Sequence, residues 1–362
     1  TTVEGYNTKS TEGALKRTFH KIEFGDIKML GDKGINMIGS LLGCVNNFII
    51  GPGDNVVSEQ NNKWVATNMS ADTKSLDFDG ENIARLVISG MNLSGSGTTV
   101  PERIVFPRDR SGVTGQHMGE LTLENSTFPS CSFYSGPNMW SGQTAKNLDY
   151  LTLSNITIHQ LNLNNFNNLK QVTLKGTIES PQYNYSSSEI AFTDIKSGNA
   201  QDNKVIFSVD YNTTISTRSL KFKNIKVSGN LGLSNSPKKV TGLVFEDVTA
   251  DEITAIGNIF RTLDVTHCTV TNTITVGNGG GTEYGEGYPK LTVRKTTTDN
   301  LIINGAGESV SGYTNGFSYV DIKGSDQIIK QIDISGESIS NVDIADVTGK
   351  NESGGNTGVV IN

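Results

Sequence analysis

The chain has 362 residues, of which 35% are hydrophobic and 19% charged, with 40 glycines, 8 prolines and a net charge of −7. This composition excludes a disordered polyelectrolyte and favours a turn-rich fold with few long helices. The acidic balance, without any Lys/Arg run longer than two residues, argues against a nucleic-acid partner, and no apolar run reaches the roughly 18 residues of a membrane span.

The first 75 residues show no repeat and are predicted to be a capping segment. Within them the stretch "GALKRTFHKI", residues 13–22, is predicted to form a short helix. A repetitive β fold exposes unpaired strand edges and an open core at its ends. The expected role of this segment is therefore to cover one of those ends.

A five-point apolar pattern then recurs between residues 76 and 347. Counted from the first apolar residue as offset 0, the apolar positions are 0, 2, 7, 10 and 12. Copies begin at Leu121, Leu151 and Ile332, and at Leu291 with Thr298 in place of an apolar residue at offset 7. The copy from Leu243 fits more loosely, those from Leu220 and Leu263 carry one extra residue before the last strand, and partial copies begin at Leu86 and Val172. Self-similarity of this kind predicts a repeat architecture.

Each copy is too short for an ordinary strand but suits three strand fragments separated by bends. Alternating apolar residues at offsets 0 and 2 indicate a strand with one buried face. Offset 4 is Asn, Asp or Gly in most copies, as at Asn125, Asn155 and Asp247, and these residues accept left-handed backbone angles. His267 holds the same offset, and His159 is predicted to lie at the second bend.

Three short strands per coil, stacked about 4.8 Å apart, predict an all-β fold: a parallel β-helix, or β-solenoid, of about ten coils with a capped N-terminus. This geometry resembles the right-handed parallel β-helix (pectin-lyase-like) superfamily over about residues 76 to 347. A leucine-rich-repeat-like solenoid is the alternative, favoured by "LNLNNFNNLKQVTLKG" from Leu161, and a series of β-sandwiches is a further one. Residues 348–362 are predicted to be a C-terminal tail or cap.

Two Gly-rich inserts between copies, residues 129–147 and 277–290, carry aromatic residues. Long loops beside a repetitive framework commonly carry its function. The candidate ligand-binding residues are the loop aromatics and one pair of acids: Tyr134, Trp140, Tyr183, Tyr185, Glu283, Tyr284, Glu286 and Tyr288.

No metal site, cofactor motif or catalytic set is predicted. Cys44, Cys131 and Cys268 are widely spaced, and none of the four histidines lies near another at metal-ligand spacing. The Asp-Asp pair of polygalacturonase-type enzymes is missing, and "RIVFPRDR" lacks the arginine spacing of pectate lyases.

These observations predict a non-enzymatic extracellular or cell-surface protein, adhesin-like and able to bind a polysaccharide or a glycan or protein of a host surface. A virion tail or fibre protein is one alternative. A polysaccharide lyase or glycoside hydrolase that assembles its acids from separate copies is the other.

Overall fold

The computed structural model describes the chain in segments. Strand backbone is described over 2–11, 14–24, 35–36, 48–50, 64–67, 75–77, 83–89 and 103–105. The larger described segments are 118–134, 148–166, 168–180, 188–197, 202–233, 237–257, 261–278, 290–304, 317, 319–335, 339, 341–350 and 356–362.

The described residues are all-β, which confirms the fold class at that level. The strands of the first third of the chain are β1 Thr2–Thr11, β2 Ala14–Phe24, β3 Ile35–Asn36, β4 Phe48–Ile50, β5 Trp64–Thr67, β6 Ser75–Asp77, β7 Ile83–Ser89, β8 Arg103–Val105 and β9 Met118–Tyr134. The middle strands are β10 Leu148–Phe166, β11 Gln171–Glu179, β12 Glu189–Ile195, β13 Ile206–Val209, β14 Thr214–Lys226, β15 Asn230–Gly232 and β16 Pro237–Gly257. The last strands are β17 Thr262–Thr266, β18 Thr269–Asn278, β19 Lys290–Arg294, β20 Thr297–Asn304, β21 Tyr319–Ser335, β22 Asn341–Lys350, β23 Asn356–Thr357 and β24 Val360–Ile361.

Two compact units divide the chain. One comprises Thr1–Thr173 and Lys196–Asn199, and the other comprises Leu174–Ile195 and Ala200–Asn362. In the first unit β1 and β2 form an antiparallel pair, whereas β7 pairs in parallel with β9, and β9 with β10. The predicted boundaries at residues 75 and 347 stay predictions. No helix with the length and apolar character of a membrane span occurs in the described segments.

The second unit contains a closed ring of strands. β16 pairs with β17, β17 with β19, β19 with β21, β21 with β20, β20 with β18, and β18 returns to β16, each pair being parallel. These six strands form a closed parallel β-barrel, and the other strands of the second unit lie outside it.

The barrel overturns the predicted parallel β-helix, and with it the predicted leucine-rich-repeat-like solenoid. The prediction assumed that the bend at offset 4 ends a strand. Instead, β16 runs from Pro237 to Gly257 straight through offset 4 at Asp247, and its first half pairs with β17 while its second half pairs with β18. In the same way, the first half of β21 pairs with β19 and its second half with β20. β16 and β21 thus each join the row of strands containing β17 and β19 to the row containing β18 and β20, and the ring is closed.

The repeat nevertheless sets the register of these strands. Residues at offset 0 pair across neighbouring strands: Leu220 with Leu243, Leu243 with Leu263, Leu263 with Leu291, Leu291 with Val320 and Val320 with Val342. Equal offsets therefore lie side by side. The side chains at offsets 0 and 2 are buried in every copy from Leu121 to Val320 whose burial is described.

The predicted left-handed backbone at offset 4 is confirmed in the described copies. Positive φ angles occur there at Asn125, Asn155, Gly176, Asn224, Asp247 and His267. Asp194, Lys295, Gly324 and Asp346 occupy the same position and also have positive φ. His159 lies within β10, where the register to β9 shifts between Ile158 and Gln160.

Offset 5, which the sequence pattern does not include, is buried in most of the described copies, although Thr177 and Ser325 are exposed there. One left-handed residue reverses the alternation of the strand, so the residue after it points inward again. Ile156, an apolar residue without a predicted role, is 1% exposed for this reason, and Ile225, Val248 and Cys268 are buried at the same offset. Where offset 5 is Ser126 or Thr296, the hydroxyl donates a hydrogen bond to the carbonyl two residues earlier.

Three further sequence predictions require correction. The predicted helix at residues 13–22 is strand β2, because Ala14–Phe24 pairs with β1. The copy that begins at Ile332 is out of register, since Ile332 pairs with Leu301 at offset 10. Three copies were missed, beginning at Ile190, Val320 and Val342. Ile190 pairs with Leu220 at offset 0, and Val320 pairs with Val342.

Candidate functional site

Most of the predicted ligand-binding residues lie outside the described segments. These are Trp140, Tyr183, Tyr185, Glu283, Tyr284, Glu286 and Tyr288. Tyr134 is the last residue of β9, where its backbone pairs with Asn162 of β10. These residues stay predictions, and the described segments offer a different candidate.

That candidate is a polar face of the second unit, formed where β19, β21 and β22 lie side by side. We call it the β19–β21–β22 face and define it by Lys290, Arg294, Tyr319, Asp321, Lys323 and Asp343. Lys290 pairs with Tyr319, and Asp321 with Asp343, so alternation places these side chains on the side opposite Leu291 and Val320. The backbone that carries them is fixed by parallel pairing on neighbouring strands.

Asp321 is the centre of this face. Its side chain is only 9% exposed, and one carboxylate oxygen, Oδ2, lies 2.6 Å from the guanidinium of Arg294 and 3.5 Å from Lys290 Nζ. Lys323 Nζ is 4.0 Å from the other oxygen, Oδ1, and also contacts Asp343. Arg294 donates a second hydrogen bond to the Asp321 carbonyl at 2.8 Å.

Burial alone would raise the pKa of the Asp321 carboxyl. The hydrogen bond and charge of Arg294, with the charges of Lys323 and Lys290, outweigh burial, and the pKa is lowered. Asp321 is therefore an ionised acceptor at neutral pH rather than a proton donor. The pKa of Lys323 is raised, chiefly by its hydrogen bond to Asp343.

An aromatic ring completes the face. The ammonium of Lys290 lies 5.3 Å from the centre of the Tyr319 ring, which is partly exposed. The first unit contains a similar pair, in which Lys170 lies 5.7 Å from the ring of Tyr150 and 2.9 Å from Asp149. In both units a tyrosine lies beside a lysine that is also bonded to a carboxylate.

Sequence reasoning missed these tyrosines although the repeat contains the signal. Tyr150 and Tyr319 both directly precede an offset-0 residue, Leu151 and Val320. The sequence pattern starts at offset 0 and includes no copy at Val320, so it leaves both tyrosines out. The signal they share is an aromatic residue at offset −1.

The face can bind but has little to offer as an acid catalyst. A tyrosine ring presents an apolar surface and a hydroxyl, and the surrounding ammonium and guanidinium groups are donors without acceptors. The carboxylates of Asp321 and Asp343 form ion pairs with lysine and arginine side chains of the same face. Within the described segments, no group of three or more His, Cys, Asp or Glu side chains could hold a metal ion.

Comparison with known proteins gives no relative: no family model matches the chain, and no curated protein or solved structure matches it. The resemblance to the pectin-lyase-like superfamily is therefore untested by any relative, and the fold that it implied is not the one observed.

Proposed function

We propose that this protein is a non-enzymatic extracellular binding protein, adhesin-like, whose ligand is an acidic glycan bound on the β19–β21–β22 face. The observation that carries the proposal is the placement of the partly exposed Tyr319 ring beside Lys290, on a sheet where Lys290, Arg294 and Lys323 surround Asp321. Side-chain exposures of 43% for Lys290, 31% for Arg294 and 39% for Lys323 leave each cation open to a second partner.

The chemistry of the face suits uronic or sulfated sugars. The apolar side of a pyranose ring stacks on an aromatic ring, and carboxylate or sulfate groups accept hydrogen bonds from lysine and arginine. A paired parallel sheet binds such a chain with little loss of its own conformational freedom, because hydrogen bonds already order the backbone.

The test is a glycan array that includes neutral, uronate-containing and sulfated oligosaccharides. We expect binding to acidic glycans, weakened roughly 2- to 12-fold by Tyr319→Ala, since an aromatic contact contributes about 0.5–1.5 kcal/mol. Tyr211→Ala is the matched control, because Tyr211 is 86% exposed and lies in a turn outside the face. Lys323→Ala should weaken binding to acidic glycans and reduce its dependence on salt.

Two results would contradict the proposal. The first is no binding to any glycan, or binding that Tyr319→Ala and Tyr211→Ala weaken equally. The second is release of oligosaccharides from a panel of polysaccharides. If that release disappeared in Glu283→Gln or Glu286→Gln, the chain would be a polysaccharide-cleaving enzyme acting through the predicted loop acids.

A further inference from the structure

The final layer of strands in the second unit leaves apolar positions uncovered. Val342 of β22 pairs with Val320 of β21, and Ile361 of β24 pairs with Ile332. Val320 and Ile332 are fully buried, whereas Val342 is 46% exposed and Ile361 is 54% exposed. At the same offset, Leu291 and Leu263 are also fully buried.

The backbone of this layer is also open on one side. Residues 342–345 of β22 pair in parallel with β21, and none of the described strands pairs with their other side. β22 meets β23 only at its far end, through Gly349 and Lys350. An edge strand of this kind is a template for a further strand.

The charges on this edge decide which strand fits. The charged residues at 342–346 are both acidic: Asp346 is exposed, and Asp343 contacts Lys323 but keeps a side-chain exposure of 42%. Ala345 stands at offset 3, where the inner strands carry the cations Lys223, Arg294 and Lys323. Two copies meeting through this edge would bring acidic side chains together, which disfavours a second copy. A strand with basic residues would meet complementary charge.

We infer that the edge of β22 binds an extended segment of a partner protein, which adds as a strand and alternates apolar with basic residues. Its apolar side chains cover Val342 and Ile344, and its basic side chains approach Asp343. Backbone hydrogen bonds to residues 342–345 supply affinity, and the alternation supplies selectivity. This partner site shares Asp343 with the β19–β21–β22 face, but its apolar and backbone contacts along β22 do not depend on the proposed glycan binding.

The test uses the full chain and a capped peptide, acetyl-Lys-Val-Lys-Val-Lys-Val-Lys-amide, with a Glu-for-Lys peptide as its counterpart. Amide chemical shifts are followed during titration. We expect the lysine peptide to shift the amides of residues 342–345 saturably, and the glutamate peptide to bind at least fivefold more weakly. Asp343→Lys should reverse that preference.

Asp299→Lys is the matched control, because Asp299 is equally exposed and ion-paired, with Lys330 at 2.7 Å, but lies on β20 within the ring. It should leave the peptide preference unchanged. The proposal is overturned if neither peptide shifts residues 342–345, or if Asp343→Lys and Asp299→Lys change the preference equally. It is also overturned if these amides shift with protein concentration alone, which would make a second copy the occupant.

Discussion

The side-chain amide of Asn155 donates a hydrogen bond to Oδ1 of Asn125, 3.2 Å away and thirty residues earlier in the chain. Both residues have a φ of 49°. Asn224 makes the same kind of bond to Asp194, so side chains at offset 4 link neighbouring strands in both units. The residue at offset 4 therefore has two roles, a left-handed backbone and a side-chain bond across the ladder.

Replacing Asn155 should separate these two roles. Asn155→Val forces a β-branched residue into the left-handed region and removes the hydrogen bond, and we expect a loss of about 2 kcal/mol in the free energy of unfolding. Asn155→Gly keeps the backbone angle and removes only the bond, so the expected loss is less than about 1 kcal/mol. Urea unfolding measures both, and equal losses would contradict the role of the backbone angle.

Lys295 is the opposite case, since it occupies offset 4 with a φ of 48° and an exposed position. Lysine gains nothing from the left-handed conformation, which costs roughly 1–2 kcal/mol for most residues with a β-carbon. We expect Lys295→Asn to stabilise the protein by roughly 0.5–1 kcal/mol, seen as a higher urea midpoint at unchanged slope. Lys226→Asn should give no gain, because this exposed lysine at the end of β14 does not have a positive φ.

Gln327 is a fully buried side chain whose amide nitrogen and oxygen both lack a hydrogen-bond partner among the described residues. A buried amide without partners destabilises a fold by about 1–3 kcal/mol. We expect Gln327→Met, which has a similar shape and no strong polar group, to raise the free energy of unfolding by about 1 kcal/mol or more. Gln327→Ala should lower it, because it leaves a cavity.

A loss of stability in Gln327→Met would mean that the amide has a function which offsets its cost. Thermal and urea unfolding of the two variants beside the wild type distinguish these outcomes. A Met variant that unfolds at the wild-type midpoint would also contradict the prediction.

Asp321 should make the protein sensitive to acid. Its folded pKa lies below the ordinary value of 3.8, so its stabilising effect is complete above that value and is lost as pH falls through the lower folded pKa. Asp321→Asn should therefore cost about 1.5–3 kcal/mol at neutral pH, where charged hydrogen bonds are removed. The difference from wild type should shrink on acidification.

Unfolding in urea at a series of pH values measures this difference. Asp343→Asn is the control, because this carboxylate is 42% exposed and its ion pair contributes only about 0–1 kcal/mol. A difference between Asp321→Asn and wild type that stayed constant from neutral to acid pH would contradict the assignment.

Much of the local structure was predictable because it depends on residues close in sequence. Alternation identified the buried positions at offsets 0 and 2, and Asn, Asp or Gly at offset 4 identified the left-handed residues. Offset 5 was missed because Ile156, Ser126 and Thr296 differ in polarity, so no apolar signal repeats there. The pattern also could not show that Asp247 lies within a continuous strand.

The topology was not predictable for a different reason. Whether two ladders meet depends on pairing between strands far apart in sequence, such as β16 with β18 and β20 with β21. Each of these pairs satisfies the same alternation as a pair in an open stack, so local pattern does not distinguish the two. The copy predicted to begin at Ile332 was wrong for a similar reason. Its spacing fits the pattern, but Ile332 pairs with Leu301, which is offset 10 of the copy that begins at Leu291.

Closure by β21 also sets an order for folding during synthesis. The ring runs from Pro237 to Ser335, and at roughly 5–20 residues per second the ribosome needs about 5–20 s to make that stretch. Until β21 has emerged from the ribosome, the edges of β19 and β20 that later pair with β21 remain unpaired. A nascent chain halted before Tyr319 would expose two parallel strand edges at once, and would depend on chaperones to avoid aggregation.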